Sequence, residues 1–223
     1  MSKTYLVAAA LTLAVVGGMF WMKRGTAPQA PSVSIAADAQ EATVSSEVAA
    51  APDMILGNLD APVEVIEYAS FTCPHCAHFH ETVFGKLKAN YIDTGKVKFV
   101  YREVYFDKFG LWAGMVARCG GPEKYFPISD MIYDTQKQWI GDGEANVIAD
   151  NLRKIGLKAG LTRESLDACL NDDAKAKAMV AAYQANATRD GIDSTPSFVI
   201  DGQKYANMSY EEFSEILDAK LAN

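Results

Sequence analysis

Two cysteines separated by two residues, Cys73-Pro74-His75-Cys76, carry the most definite chemistry in this chain. The spacing lets the sulfurs close a disulfide across one helical turn, and such a pair serves either redox exchange or metal binding. If the motif opens a helix, free N–H groups and the positive end of the helix dipole face the Cys73 sulfur and favour its thiolate. Pro74 suits the first helical position, where no N–H is needed. His75, between the cysteines, can add a donor or a positive charge. Stabilising the thiolate stabilises the reduced form, so the disulfide of such a pair is an oxidant. All three histidines, His75, His78 and His80, lie within four residues of Cys76. Cys-x-x-Cys-x-His-x-His therefore offers a competing reading as a zinc or copper site. Helical phase weighs against it. At about 100° per residue, Cys76 and His80 share an apolar face with Ala77, Val83, Phe84 and Leu87, whereas His75 and His78 point away. The same phase gives Cys76 a buried role and leaves Cys73 as the accessible sulfur.

The elements that must position this motif are legible on either side of it. Val63 to Tyr68, rich in β-branched and aromatic residues after Ala61-Pro62, predicts a buried strand. Cys73 to Tyr91 predicts a helix, and the alternating Val97 to Val104 a second strand, which together make a βαβ unit. The next eighty residues carry apolar positions at three- and four-residue spacing: Leu111 to Cys119, Pro122 to Gln138, Asn146 to Gly156, Thr162 to Leu170 and Ala174 to Arg189. They predict a bundle of four or five helices, with stops at Gly120-Gly121-Pro122, Gly141-Asp142-Gly143, Gly160 and Gly191. Strands then resume at Ser197 to Ile200 and Gln203 to Tyr205. A last helix runs from Ser209 to Leu221, with Ser209 and Glu212 forming a capping box. The fold class is α/β, one sheet of βαβ and ββα halves interrupted by a helical bundle.

Whole-chain averages conceal two further pieces. Between Lys3 and Lys23, residues 4–22 carry no charge and include fifteen hydrophobic side chains, enough to cross a bilayer. Residues 1–24 therefore read as an uncleaved membrane anchor, with Ala37-Asp38-Ala39 offering the alternative of a cleaved signal sequence. Residues 25–52 hold nine Ala, four Ser and three Pro but no aromatic residue, Lys or Arg, and read as a flexible linker. Residues 53–106, 107–190 and 191–223 are then the first half of the sheet domain, the helical insertion and the second half. The net charge of -7 comes from the part beyond residue 52, and with no basic block it argues against a nucleic-acid partner.

Phe71-Thr72-Cys73-Pro74-His75-Cys76, preceded by Val65-Ile66-Glu67-Tyr68-Ala69-Ser70, resembles the DsbA-type thiol:disulfide oxidoreductases of the bacterial periplasm. The resemblance covers about residues 53 to 222 and implies a thioredoxin fold with a helical insertion. It makes Cys73 the nucleophile, Cys76 its buried partner, and His75 the dipeptide residue that favours the thiolate. Thr195-Pro196 resembles the cis-proline loop that lies against the active site and pairs with substrate backbone. Glu67 matches a buried acid beneath the thiols, although a strand-end surface acid is the alternative. Where some members carry an acid seven residues after the first cysteine, this chain has His80, read either as a satisfied core histidine or as a titrating neighbour of the thiols. In an oxidising compartment Cys119 and Cys169 are expected to form a structural disulfide, with two separate buried thiols as the alternative. The resemblance implies a monomeric enzyme with no cofactor beyond the Cys73–Cys76 disulfide. Its substrates would be newly exported polypeptides with thiols, and its reoxidant a DsbB-like membrane quinone reductase. The expected location is the periplasm, tethered to the inner membrane by residues 4–22 or soluble after cleavage. A reductase or isomerase on the same fold is the nearest rival.

Overall fold

The computed structural model describes residues 51–222. The anchor expected at residues 1–24 and residues 25–50 of the linker lie outside the described residues.

Five strands form one sheet in the order β1-β3-β2-β4-β5. β2 (Val63–Ala69) and β3 (Val97–Glu103) run parallel in the middle, Val65 opposite Phe99. β4 (Ser197–Ile200) pairs antiparallel with β2, and β5 (Gln203–Ala206) with β4. The remaining edge is β1 (Met54–Leu56), antiparallel to β3, a three-residue strand too short for its period to stand out in the sequence. The β4–β5 turn is the expected Asp201-Gly202, with Asp201 at φ 45° and Gly202 at φ 81°.

Because successive strand residues face opposite sides, Val63, Val65, Glu67 and Ala69 of β2 turn to one face and Glu64, Ile66 and Tyr68 to the other. The first face meets the main core, where Val65, Phe99, Phe198 and Phe213 are fully buried. The second carries a smaller cluster of Ile66, Tyr68, Val100, Val104 and Val199, packed against Tyr183 and Ile192. Glu67 is thereby forced toward the core.

The helix after β2 is one irregular run over residues 74–92. α1 (Pro74–Phe79) and α2 (Gly85–Leu87) alternate with wider π turns at His80–Phe84 and Lys88–Ile92. Its buried side is broader than the face expected from a uniform helix. Besides Cys76, Val83, Phe84 and Leu87, it buries Phe79, which packs on Phe198 at 4.8 Å and Phe213 at 6.2 Å. α9 (Tyr210–Leu221) lies beside this run, started by the predicted capping box of Ser209 and Glu212.

Between β3 and β4 the chain makes six helices rather than four or five: α3 (Lys108–Cys119), α4 (Pro122–Asp134), α5 (Gln136–Ile140), α6 (Ala145–Lys158), α7 (Arg163–Leu170) and α8 (Asp173–Arg189). The extra helix arises where the expected Pro122–Gln138 segment breaks at Thr135. Its hydroxyl bonds back to the Met131 carbonyl, a competition with the helical ladder that bends or ends helices. Cys119 at the end of α3 and Cys169 in α7 are joined in a disulfide with Cα atoms 5.8 Å apart.

Candidate active site

The site forms where β2 ends and α1 begins. Cys73 is the N-cap, with extended backbone at φ -79° and ψ 120°, and Pro74 takes the first turn. Among the described residues no side chain caps this helix, so its open N–H groups are left to the Cys73 sulfur. Both cysteines of the motif are free thiols. Cys73 retains 9% exposure and Cys76 none, so Cys73 is the more accessible sulfur yet sits recessed in the surface. Beside it lies the loop before β4, where the Thr195-Pro196 peptide is cis and the Thr195 carbonyl is 3.5 Å from the Cys73 sulfur.

This environment drives the two thiols apart. A hydrogen bond from the Cys76 thiol is the largest influence at Cys73. With the Thr195 hydroxyl and the N–H groups of Cys76 and His75, it outweighs burial and lowers the Cys73 pKa to about 5. Cys76 is driven well above an ordinary thiol by burial, by its bond to Cys73 and by the charge of Glu67. The pair is therefore set for one thiolate and one thiol. His75 contributes through its backbone N–H, and its side chain is exposed.

Beneath the thiols Glu67 is fully buried, as the strand parity dictates, and its Oε2 lies 3.2 Å from His80 Nε2. The His80 side chain is 6% exposed, its ring stacked at 4.2 Å on Tyr133 of α4 and tilted against Phe84 at 4.6 Å. Thus the two sequence candidates below the site form one pair, and the surface-acid reading of Glu67 does not hold. His78 points outward, with 68% of its side chain exposed and Glu81 3.8 Å away. The Cys/His cluster is not gathered into a metal site: among the described residues no group of three or more His, Cys, Asp or Glu side chains is placed to hold an ion.

Three supporting residues were not foreseen. Gln136 in α5 donates from Nε2 to the carbonyls of Phe71 and Cys73, both at 2.9 Å, and so holds the active-site turn from the insertion. Asp107 caps α3 through the N–H groups of Phe109 and Gly110 and also accepts from the Thr72 hydroxyl at 2.8 Å. Tyr133 seals the Glu67–His80 pair and meets the Tyr101 hydroxyl at 2.5 Å. Asp107 alone left a trace in the sequence, as a cap residue before a helix. The contacts of Gln136 and Tyr133 join residues with no local pattern between them.

A thioredoxin family model matches residues 49–219. Among relatives, a Rickettsia bellii protein named provisionally as a protein-disulfide oxidoreductase is 37% identical over 76% of this chain and 64% of its own length. The chain thus spans just under two thirds of that relative. Bacillus subtilis disulfide bond formation protein D is 25% identical, with 75% of this chain and 76% of that protein covered. Among solved structures, Wolbachia pipientis alpha-DsbA1 superposes with a TM-score of 0.70 and 28% identity, covering 79% of this chain and 95% of that one. A protein-disulfide isomerase from Novosphingobium aromaticivorans gives 0.70 and 26%, covering 78% and 100%. With its Cys-Pro-His-Cys turn, cis-proline loop and inserted helices in one fold, the chain belongs to the thioredoxin family and is similar in architecture to DsbA.

Proposed function

We propose that this protein is a thiol:disulfide oxidase that donates the Cys73–Cys76 disulfide to exported polypeptides. The observation that carries the reading is the division of the thiols, with Cys73 held as a thiolate at a pKa of about 5 and Cys76 held as a buried thiol. A dithiol whose reduced form is stabilised in this way gives up its disulfide readily.

In the forward reaction a substrate thiolate attacks Cys73 Sγ, the Cys73–Cys76 bond breaks, and its electron pair leaves on Cys76. A second substrate thiolate then attacks the substrate sulfur of the mixed disulfide, and Cys73 departs as a thiolate. The cis Thr195-Pro196 loop lies against Cys73 and is positioned to meet the backbone flanking the substrate cysteine. His75 and Pro74 shape the exposed turn around the nucleophile. On family grounds the reoxidant is a DsbB-like membrane quinone reductase. An apolar stretch at residues 4–22 would hold the enzyme on the periplasmic side of the inner membrane, where disulfides persist.

Reductase and isomerase roles use the same thiols, and equilibration with glutathione separates them. A potential near -120 mV, as in DsbA, is the expected result, and one near -270 mV, as in thioredoxin, would reverse the assigned direction.

A further inference from the structure

Opening the disulfide creates a problem in the core. Cys76 leaves as an anion in a fully buried position next to Glu67, where burial and that carboxylate both oppose its charge. A proton has to reach it. Glu67 is itself fully buried; among the described residues its side chain's sole hydrogen-bond partner is His80, and Glu67 Oε1 and His80 Nδ1 find none.

We propose that His80 is the positioning residue through which Glu67 exchanges protons with solvent, so that the Glu67–His80 pair gives Cys76 its proton when the disulfide opens and takes it back when it closes. This inference rests on the thiol:disulfide reading of Cys73 and Cys76.

The geometry supports it in three ways. His80 follows Cys76 by one turn, its N–H bonded to the Cys76 carbonyl, so the imidazole and the thiol project from the same side of the helix; the imidazole meets Glu67, whose charge is also felt at the Cys76 sulfur. Of the pair, only His80 has any exposed surface. Finally, the ring stacked on it, Tyr133, also lines a cleft of about 450 Å³ between α1 and the α4–α5 corner, walled by Pro74, His78, Glu81 and Asp134. The groups facing His80 are Glu67 from β2, Cys76 from α1, Tyr101 from β3, and Tyr133 and Asp130 from α4.

The balance closes with one proton. The pair enters the step with one proton to give, held on Glu67 or on His80 across the Oε2–Nε2 contact. Cys76 receives the S–S electron pair and then the proton, leaving glutamate beside neutral imidazole. His80 regains a proton from solvent, and the substrate dithiol is oxidised as Cys73 and Cys76 are reduced. Reoxidation runs the same path backwards.

The closing step isolates the effect. Reduced protein is mixed with oxidised glutathione in stopped flow from pH 5 to 8. Attack by the Cys73 thiolate gives a mixed disulfide, and Cys76 must then lose its proton to displace glutathione. In His80→Gln we expect closure at pH 7 to slow at least about tenfold and its pH inflection to vanish, while mixed-disulfide formation stays within about twofold. Glu67→Gln should match it, and the double variant should be no slower than either, as for residues acting as a unit. Unchanged closure in a folded His80→Gln overturns the proposal, whatever Glu67→Gln does. A readout without substitution stands beside it: imidazole NMR of the native protein should give His80 different titration curves in the oxidised and reduced states, and identical curves overturn the proposal. Failure of wild-type protein to form any mixed disulfide on Cys73 would instead sink the oxidoreductase reading.

Discussion

Cys73 exchanges a proton for stability. Its folded pKa is about 5, below the roughly 8.5 of a free thiol, so the native reduced protein binds fewer protons than its unfolded chain between those values. Stability of the reduced form should rise with pH across that window and be lost as pH falls through about 5. By pH 7 the difference from this one group is about 2–3 kcal/mol. Above about 8.5 the sign reverses, because the unfolded Cys76 ionises while the buried one resists. The oxidised protein lacks both groups. Urea unfolding of the two forms tests this, and a reduced-minus-oxidised difference that stays flat from pH 5 to 8 would remove the thiolate from the explanation. At this scale the chemistry was legible because it is local. Four consecutive residues and a helix start carry most of what lowers Cys73, and the parity of β2 turns Glu67 inward. What the sequence did not disclose is how Glu67 and His80 are kept together, since Tyr133 arrives from a helix more than fifty residues later.

Among the elements, the joint between β3 and α3 is closed by a buried ion pair. Glu103 at the end of β3 and Arg118 in the last turn of α3 make a two-pronged ion pair at 2.6 and 2.5 Å, buried to 4% and 6% exposure. Tyr125 donates to the same carboxylate from α4, and Arg118 also reaches the Pro52 carbonyl just before β1. Four segments meet at one guanidinium. Arg118→Met should cost about 3–5 kcal/mol in urea unfolding, because it strands a buried carboxylate. Adding Glu103→Leu should recover much of the loss by removing that charge. A single-variant cost below about 1 kcal/mol would mean that the clamp is relieved by water. Periodicity located the helices of this region but not their joints. Arg118 stands in the last turn of α3, where a cation is favourable without any buried partner, so nothing local announces Glu103. The break at Thr135, which aims Gln136 at the active-site turn, depends on a back-bond that many helical threonines do not make.

For the whole molecule, the sheet, its interruption and the second half were readable because strand and helix periods change cleanly at Val104 and Ser197. β1 escaped because three residues show no period. The insertion is more than an ornament on the sheet, since it supplies both Gln136 and Tyr133 to the site. Its staple closes a loop of fifty residues, and in the chain-entropy model that constraint is worth about 4 kcal/mol. Cys119→Ala with Cys169→Ala should therefore lower stability by up to that amount, with Cys73 still titrating near 5. A variant as stable as the parent would show that the inserted helices hold together without the bond.

The same bond also bears on how the chain is made. Its four cysteines in order are Cys73, Cys76, Cys119 and Cys169, and the two pairs neither cross nor nest. Within each pair the second cysteine is the next one made after the first. Domains form from the N-terminus onward as synthesis proceeds. Crosslinks laid down in that order are already the native ones and call for no reshuffling.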